Sequence, residues 1–185
     1  MSDHDLVVGG SGMLSGLVTA LAREGRRISV IARDRDRLDQ LARTATGIAP
    51  LPLPLDYHDA GLLEKALLRA RQDRGPIERA VCWFHTETTE IPLAVARHVD
   101  GIYCHLLGSA AADPSRPAVL HQWRQSFAVF PGLAYRIAVL GFMIEPGGQS
   151  RWLTPEEISA GAAEALAGTK PLSIIGTVKP WSARP

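Results

Sequence analysis

The stretch His4-Asp-Leu-Val-Val-Gly-Gly-Ser-Gly-Met-Leu-Ser-Gly-Leu-Val-Thr-Ala-Leu-Ala-Arg-Glu-Gly25 decides the fold. Its first apolar run, Leu6 to Val8, contains β-branched residues and predicts a buried strand. Glycines follow at once, and apolar residues then recur at helical spacing, at Leu14, Leu17, Val18 and Leu21. A strand, a glycine-rich turn and a helix in this order are typical of the first unit of a nucleotide-binding α/β sheet.

The glycine turn predicts a dinucleotide site. Glycines let the backbone turn sharply and approach a pyrophosphate, and the first N–H groups of the helix face the negative charge. Gly10-Ser11-Gly12 begins the pattern Gly-x-Gly-x-x-Gly, but Ser15 holds its third glycine position; alternatively, Gly9, Gly12 and Gly16 are spaced three and four residues apart. A tight turn without a ligand is the other interpretation. The residues expected to contact the cofactor here are Gly9, Gly10, Ser11, Gly12, Met13 and Leu14.

Composition sets limits on the class of protein. The chain has 185 residues, of which 46% are hydrophobic and 21% charged, and these values suit a single globular domain over residues 1–185. A net charge of +1 offers no electrostatic case for nucleic acid or a membrane surface as a partner. No signal peptide or membrane span is predicted, so we expect a cytoplasmic protein. Cys82 and Cys104 lie in apolar runs and predict buried free thiols; no metal site is predicted.

The charges after the second strand bear on the choice of cofactor. Ile28 to Ala32 predicts that strand, and Arg33-Asp34-Arg35-Asp36-Arg37 follows it. At this point a carboxylate would accept a hydrogen bond from the 2′-OH of NAD, whereas a guanidinium would pair with the 2′-phosphate of NADP. Arg33 comes first, so NADP(H) is favoured; Asp34 keeps NAD open and is also a candidate N-cap. A solvated, salt-bridged helix start is the alternative.

The rest of the chain alternates between predicted strands and helices. The prolines between Ile48 and Leu55 predict an edge strand, and Asp59 and Thr154-Pro155-Glu156-Glu157 predict helix starts. The alternation predicts an α/β, doubly wound parallel sheet of about seven strands, Rossmann-like. The remaining strands are expected at Ile77–Phe84, Gly101–Leu107, Leu133–Ile144 and Leu172–Val178, and helices at Ile91–His98 and within 117–127.

Polar residues follow two of these strands and are the catalytic candidates. Ligands of open α/β sheets bind beyond the carboxyl ends of the strands. His85 and Glu87 follow the fourth strand, and Ser109 follows the fifth. Alternatively, His85 hydrogen-bonds a loop carbonyl, Glu87 is exposed to solvent, and Ser109 is a turn or cap residue. His105, in mid-strand, is expected to be a hydrogen-bonded core histidine.

Three segments resemble the short-chain dehydrogenase/reductase superfamily: Val7-Val8-Gly9-Gly10-Ser11-Gly12-Met13, Val30-Ile31-Ala32-Arg33 and Leu55-Asp56. Residues 152–158 and 176–181 look like a short, atypical bacterial branch of it. The resemblance implies that Ala32-Arg33 suits NADP and that Asp56 holds the adenine amino group. Trp83-Phe84-His85-Thr86 replaces the family's Asn-Asn-Ala-Gly. Beside these positions, Tyr57 and Phe84 are further cofactor-binding candidates.

The active site of that family contains a tyrosine followed four residues later by a lysine, and this chain departs from the family there. The residues four positions after Tyr57, Tyr103 and Tyr135 are Gly61, Leu107 and Val139, so Tyr-x-x-x-Lys is absent. Ser109 alone falls where the family has its serine. His85 would then be the proton donor, because its unperturbed pKa is about 6.5. Ser109 would orient the substrate and Glu87 would hold a cation.

Two functions follow from these observations. The first is an NADPH-dependent oxidoreductase that transfers a hydride to a C=O or C=N bond of a small molecule; a C=N substrate can arrive as an iminium and needs no strong acid. The second is a non-catalytic NADP-binding sensor or partner subunit. The connection at 145–153 is short and leaves the nicotinamide side open, so we expect a homodimer in which the tail with Trp181 closes the site.

Overall fold

A seven-stranded parallel sheet forms the centre of the computed structural model, which describes residues 3–86 and 88–185. Its strands are β1 (His4–Val8), β2 (Arg27–Ala32), β3 (Leu51–Pro54), β4 (Ile77–Trp83), β5 (Val99–Gly108), β6 (Ala134–Leu140) and β9 (Leu172–Ile175); β7 (Phe142–Ile144) and β8 (Ser150–Trp152) form a separate antiparallel hairpin. The order is β3-β2-β1-β4-β5-β6-β9. The winding therefore reverses between β1 and β4, which places a crevice at their carboxyl ends. The predicted doubly wound sheet is confirmed.

Three helices cover each face of the sheet. α1 (Ser15–Arg23), α2 (Arg35–Thr44) and α6 (Pro155–Ala167) pack on one face, and α3 (Ala60–Arg74), α4 (Glu90–Ala96) and α5 (Val119–Phe127) on the other. Alternate residues of a strand enter opposite layers: Val7 packs with the first set of helices, and Leu6 and Val8 with the second. No helix among the described residues is both long and apolar enough to cross a membrane.

The predicted helix starts are confirmed. The Asp34 carboxylate accepts a hydrogen bond from the Arg37 N–H at 3.0 Å, and Asp59 accepts one from the Leu62 N–H at 2.9 Å. At α6, Thr154 and Glu157 form a reciprocal capping box. Because each cap satisfies backbone donors that the helix itself leaves unpaired, these short local patterns fix where the helices begin.

Two predicted strands are shorter than expected. The run 133–144 is not one strand, because it is interrupted at Gly141, where a Cβ atom would overlap the Thr177 carbonyl oxygen. The chain continues from there into β7. The last strand ends at Ile175 rather than Val178, because Gly176 adopts a φ of +75°.

A buried ion cluster ties together three neighbouring strands at the end of the sheet opposite the crevice. Asp5 is 1% exposed. Its carboxylate accepts two hydrogen bonds from Arg26, at 2.9 and 2.7 Å, and two from Arg79, at 2.8 and 2.7 Å. Arg26 also donates to Glu78 at 3.1 Å. Asp5 thus joins the start of β1 to the chain entering β2 and to β4.

Replacing Asp5 with Asn should destabilise the fold by about 3 kcal/mol, because two largely buried guanidinium groups lose the carboxylate that they share and only Arg26 keeps a second one, Glu78. Urea denaturation measures the change. The matched control is Asp73→Asn, which removes an exposed pair with Arg69 and should change stability by less than about 1 kcal/mol. Equal effects of the two substitutions would contradict the prediction.

Gly141→Ala should cost about 3 kcal/mol or more of folding stability, because the added methyl group displaces the backbone at Thr177. Gly147 is the control, since a Cβ atom there meets nothing within 4 Å. Gly147→Ala should stay within about 0.5 kcal/mol of the parent protein in the same denaturation experiment. A stable Gly141→Ala protein would show that Gly141 is not required for the close approach.

Candidate functional site

The glycine loop between β1 and α1 has three differently placed glycines. Gly9 adopts a φ of +82°, and its N–H donates to the Ile31 carbonyl at 2.9 Å. At Gly10 a Cβ atom would stand 2.6 Å from Val30 Cγ1, so this glycine allows α1 to pack closely on the sheet. At Gly12 nothing lies within 4 Å of the Cβ position. The loop therefore packs closely on the sheet at Gly10 and leaves open space at Gly12.

Gly16 has a different role from the loop glycines. It lies on α1, where a Cβ atom would stand 3.0 Å from the Ser159 hydroxyl of α6. The Ser159 hydroxyl donates to the Met13 carbonyl at 2.8 Å. Gly16 thus serves helix–helix packing, and α6 supports the loop from behind.

The amino end of α1 is available to a ligand. Its N-cap, Leu14, offers no side-chain hydrogen bond, and its buried side chain lies beneath the loop. Helix N–H groups that lack a side-chain cap favour an anion at this position.

A cavity of about 410 Å³ opens in front of this loop. We call it the glycine-loop cavity. It is lined by Gly9, Ser11, Gly12, Met13, Ala32, Arg33, Asp34, Arg37, Tyr57, Trp83 and His85. Seven of the predicted cofactor-binding residues are therefore brought together here, along with His85, whereas Gly10 and Leu14 lie underneath.

The charged residues after β2 differ in their partners. Arg33 is exposed and lines the cavity. The Asp34 carboxylate accepts the Arg37 N–H as the cap of α2 and pairs with Arg37 Nε at 3.2 Å. Arg37 also lines a neighbouring cavity between α1 and α2, together with Ser11. The Asp34 carboxylate is thus engaged with Arg37, and both Arg33 and Arg37 line the cavity.

Tyr57 forms the next part of the wall, whereas the preceding residue, Asp56, is not among the residues that line the cavity. Asp56 accepts hydrogen bonds from the His58 N–H at 3.0 Å and from His58 Nδ1 at 2.8 Å, and these bonds hold the pKa of Asp56 below its usual value. The Tyr57 hydroxyl accepts the His85 N–H at 2.9 Å. Tyr57 therefore fixes the loop that follows β4.

Trp83, which ends β4, crosses the crevice. Its Cδ1 stands 3.5 Å from the Cβ position of Gly9, and its Cη2 stands 3.7 Å from that of Gly108. Its indole N–H donates to His85 Nε2 at 3.2 Å. Since Nε2 accepts, the neutral His85 ring carries its proton on Nδ1. Phe84 is 7% exposed and packs edge-on against Tyr57, so it supports the wall from the core and is not among the residues lining the cavity.

A second cavity, of about 250 Å³, lies beyond the carboxyl end of β5. We call it the β5 cavity. Its lining residues are Thr86, Thr89, Leu107, Gly108, Ala110, Ala111, Arg116, Val119, Gln122, Trp123 and Ser126. Gln122 and Ser126, one turn apart on α5, present an amide and a hydroxyl. No tyrosine, lysine or histidine is among the described residues that line it.

Ser109 lies beside the β5 cavity and contacts the carboxyl-terminal tail. It is 4% exposed and begins a short 3₁₀ turn. Its hydroxyl accepts a hydrogen bond from Arg184 Nε at 2.8 Å. The structure does not place Ser109 and His85 in the same cavity. Glu87 lies outside the described residues.

His105 is a core histidine, as predicted. It is 2% exposed, and its Nδ1 shares a hydrogen bond of 3.0 Å with the Tyr135 hydroxyl. Aromatic rings from β5, β6 and α5 surround it, and this burial lowers the pKa of His105 to about 3. The imidazole therefore stays neutral beneath the β5 cavity.

The two thiols are buried and free, as predicted. Cys82 faces the layer of α3, α4 and α5, whereas Cys104 faces the layer of α1, α2 and α6. Burial raises the pKa of both groups, to about 12 for Cys104. The described residues contain no group of His, Cys, Asp and Glu side chains that could hold a metal ion.

Three residues of the site are missing from the sequence-based prediction. Arg37 carries the same signal as Arg33, since it belongs to the same charged run. Trp83 stands at the carboxyl end of a predicted strand, which could have identified it. Arg184 has no local signal, because only the folding of the tail brings it to Ser109.

The comparisons with known proteins identify the fold. No protein-family model and no curated protein matches the sequence. Among solved structures, a short-chain type dehydrogenase/reductase from Mycobacterium marinum is 17% identical, with a TM-score of 0.76 over 96% of this chain and 94% of that chain. An SDR glucose/ribitol dehydrogenase from Brucella melitensis is 14% identical, with a TM-score of 0.75 over 95% and 96% of the two chains.

A third similar structure is an alcohol dehydrogenase from the archaeon Thermococcus sibiricus complexed with 5-hydroxy-NADP. It is 16% identical, with a TM-score of 0.70 over 94% of this chain and 95% of that chain. At these identities the likeness concerns the fold. The chain has the doubly wound fold of the short-chain dehydrogenases/reductases.

Proposed function

We propose that the glycine-loop cavity binds NADP(H). The observation that carries this proposal is the arrangement after β2. The Asp34 carboxylate, which could accept from a free ribose 2′-OH, is engaged by α2 and by Arg37 Nε, while Arg33 and Arg37 both line the cavity as cations. A 2′-phosphate would pair with these cations.

The remaining wall fits the other parts of a dinucleotide. Open space at Gly12 and the uncapped end of α1 suit a pyrophosphate. Asp56 is next to the lining residue Tyr57 but does not itself line the cavity; its Oδ1 is bonded to His58, and its Oδ2 would accept from an adenine amino group. The Thermococcus sibiricus enzyme of the same fold, complexed with 5-hydroxy-NADP, supports a nicotinamide cofactor here.

We further propose an oxidoreductase that reduces a C=O or C=N bond in the β5 cavity. Bound NADPH would supply a hydride, and with one proton it would give an alcohol or an amine and NADP⁺. Thr86, Gln122 and Ser126 offer neutral hydrogen-bonding groups that orient a substrate. His85 lies at the edge of the glycine-loop cavity and would donate the proton as an imidazolium, returning to the neutral ring that accepts from the Trp83 indole at Nε2.

A second candidate function is non-catalytic nucleotide binding, as a sensor or partner subunit. It is favoured by the lining of the β5 cavity, whose described residues include no tyrosine or lysine. The Trp83 indole also lies between Gly9 and Gly108, which separates the two cavities. The homodimer and the cytoplasmic location stay predictions.

Titration of the purified protein with NADPH and NADH, followed by nucleotide fluorescence, tests the cofactor. NADPH should bind more tightly. Arg33→Ala and Arg37→Ala should each weaken NADPH binding by about 10- to 100-fold, because each removes a charge-assisted hydrogen bond to the 2′-phosphate. NADH binding should change little.

Arg35→Ala is the matched control, because Arg35 belongs to the same charged run but is not among the residues lining the cavity. It should leave NADPH binding unchanged. If neither nucleotide binds the parent protein, the glycine loop is structural and both proposed functions fail.

Consumption of NADPH with imines, ketones and aldehydes separates the two functions. If the substrate is an iminium, Glu87→Gln should lower its turnover at least about tenfold, because a stabilising negative charge is lost. Thr88→Ala is the neighbouring control. Unchanged turnover in Glu87→Gln would eliminate the iminium version, and NADPH binding without any consumption would favour the sensor.

A further inference from the structure

We propose that Arg184 binds a carboxylate of the substrate, so that the substrate is a small carbonyl or imine compound bearing a carboxylate group. The inference rests on the proposed function in one respect, the placing of the substrate beyond the carboxyl end of β5. The residues that carry it are Arg184, Ser109, Trp152 and Trp181.

The guanidinium of Arg184 is held in a defined orientation. Its Nε donates to the buried Ser109 hydroxyl at 2.8 Å. Its central carbon lies 5.0 Å from the ring centre of Trp152 and 5.3 Å from that of Trp181, which are cation–π distances. Contact with two indoles and one hydroxyl removes much of the rotational freedom that an exposed arginine would otherwise have.

Two donor groups of Arg184 remain available. Among the described residues, no side chain or backbone carbonyl accepts a hydrogen bond from either Nη atom. The two Nη groups of a fixed guanidinium form a planar fork that matches the two oxygens of a carboxylate. The aromatic partners contribute no competing acceptor.

The local charge also favours a small anion. Arg116 lines the β5 cavity, and both Arg116 and Arg184 help to hold the pKa of Asp113 below its usual value, after the hydrogen bonds from Ser115. The Asp113 carboxylate itself accepts from the Ser115 N–H and hydroxyl, at 2.8 and 2.7 Å. Arg116 and Arg184 thus place two cations near the one carboxylate of Asp113, which favours a small anion beside this part of the cavity.

The position of Arg184 connects it to the substrate side of the fold. Ser109 lies between Gly108 and Ala110, and both of these residues line the β5 cavity. A carboxylate bound to Arg184 would anchor a substrate next to that cavity, with its reducible carbon directed towards the crevice. Anchoring by charge would supply orientation where Tyr-x-x-x-Lys is missing.

The hairpin holds the aromatic partner in place. Trp152 ends β8, and its neighbour Arg151 donates to Glu145 at 2.5 Å and to both carboxylate oxygens of Glu157 at 2.8 Å. Glu157 belongs to the capping box of α6. The binding group is therefore braced by a helix end, through Arg151 and Trp152.

The test uses the full chain and two probes, pyruvate and methyl pyruvate, which share a ketone but differ in charge. Each probe is titrated with and without saturating NADP⁺, which cannot reduce it, and tryptophan fluorescence is recorded. Pyruvate should bind more tightly than methyl pyruvate. Arg184→Gln should weaken pyruvate binding by about 10- to 100-fold and leave methyl pyruvate binding unchanged.

Arg97→Gln is the control, since Arg97 is an exposed arginine at the end of α4 and should leave pyruvate binding unchanged. If Arg184→Gln does not fold, Arg184→Lys replaces it, with weaker pyruvate binding expected because the fork is lost. Equal binding of the two probes, or unchanged pyruvate binding in the Arg184 variant, would overturn the proposal. NADPH binding is measured on the same samples, so a failure of the cofactor site is seen separately.

Discussion

The close approach of α1 to the sheet and to α6 is the constraint on which the site depends. At Gly10 there is no room for a methyl group beside Val30 and Val7, and at Gly16 there is little beside Ser159. These two contacts hold the amino end of α1 over the carboxyl end of β1. The Ser159 hydroxyl then fixes the Met13 carbonyl, so the loop in front of the helix is supported on both sides.

The second determinant of the site is the use of side chains at strand ends. Asp34, Tyr57, Trp83 and Ser109 all follow or end parallel strands, and each makes a specific hydrogen bond there. Asp34 caps a helix, Tyr57 and Trp83 hold His85, and Ser109 holds the tail. The crevice is thus lined by groups whose geometry is set by their neighbours, which is the condition for precise ligand orientation.

The parts of the fold that follow from the sequence are those with local causes. The caps at Asp34, Asp59 and Thr154 satisfy nearby backbone donors, so four or five consecutive residues suffice to predict them. The break at Gly141 has no such local signal, because its cause is the Thr177 backbone, 36 residues later.

The candidate site divides in the same way. The glycine loop and Arg33 are predictable because a strand–turn–helix unit is contiguous in sequence. Arg184 is not, since its place depends on the hairpin, the tail and Ser109 meeting in space. Through Arg184 and Ser109 the tail contacts its own chain beyond the carboxyl end of β5, and the homodimer stays a prediction.

The two cysteines lie on neighbouring strands but on opposite faces of the sheet, Cys82 beneath α3, α4 and α5 and Cys104 beneath α1, α2 and α6. Each thiol is covered by a different helical layer and reacts with a thiol reagent only when that layer opens. The rate at which a thiol reagent labels each cysteine therefore reports the opening of one side of the molecule. The chain contains a pair of native probes that can tell whether its two helical layers open together or separately.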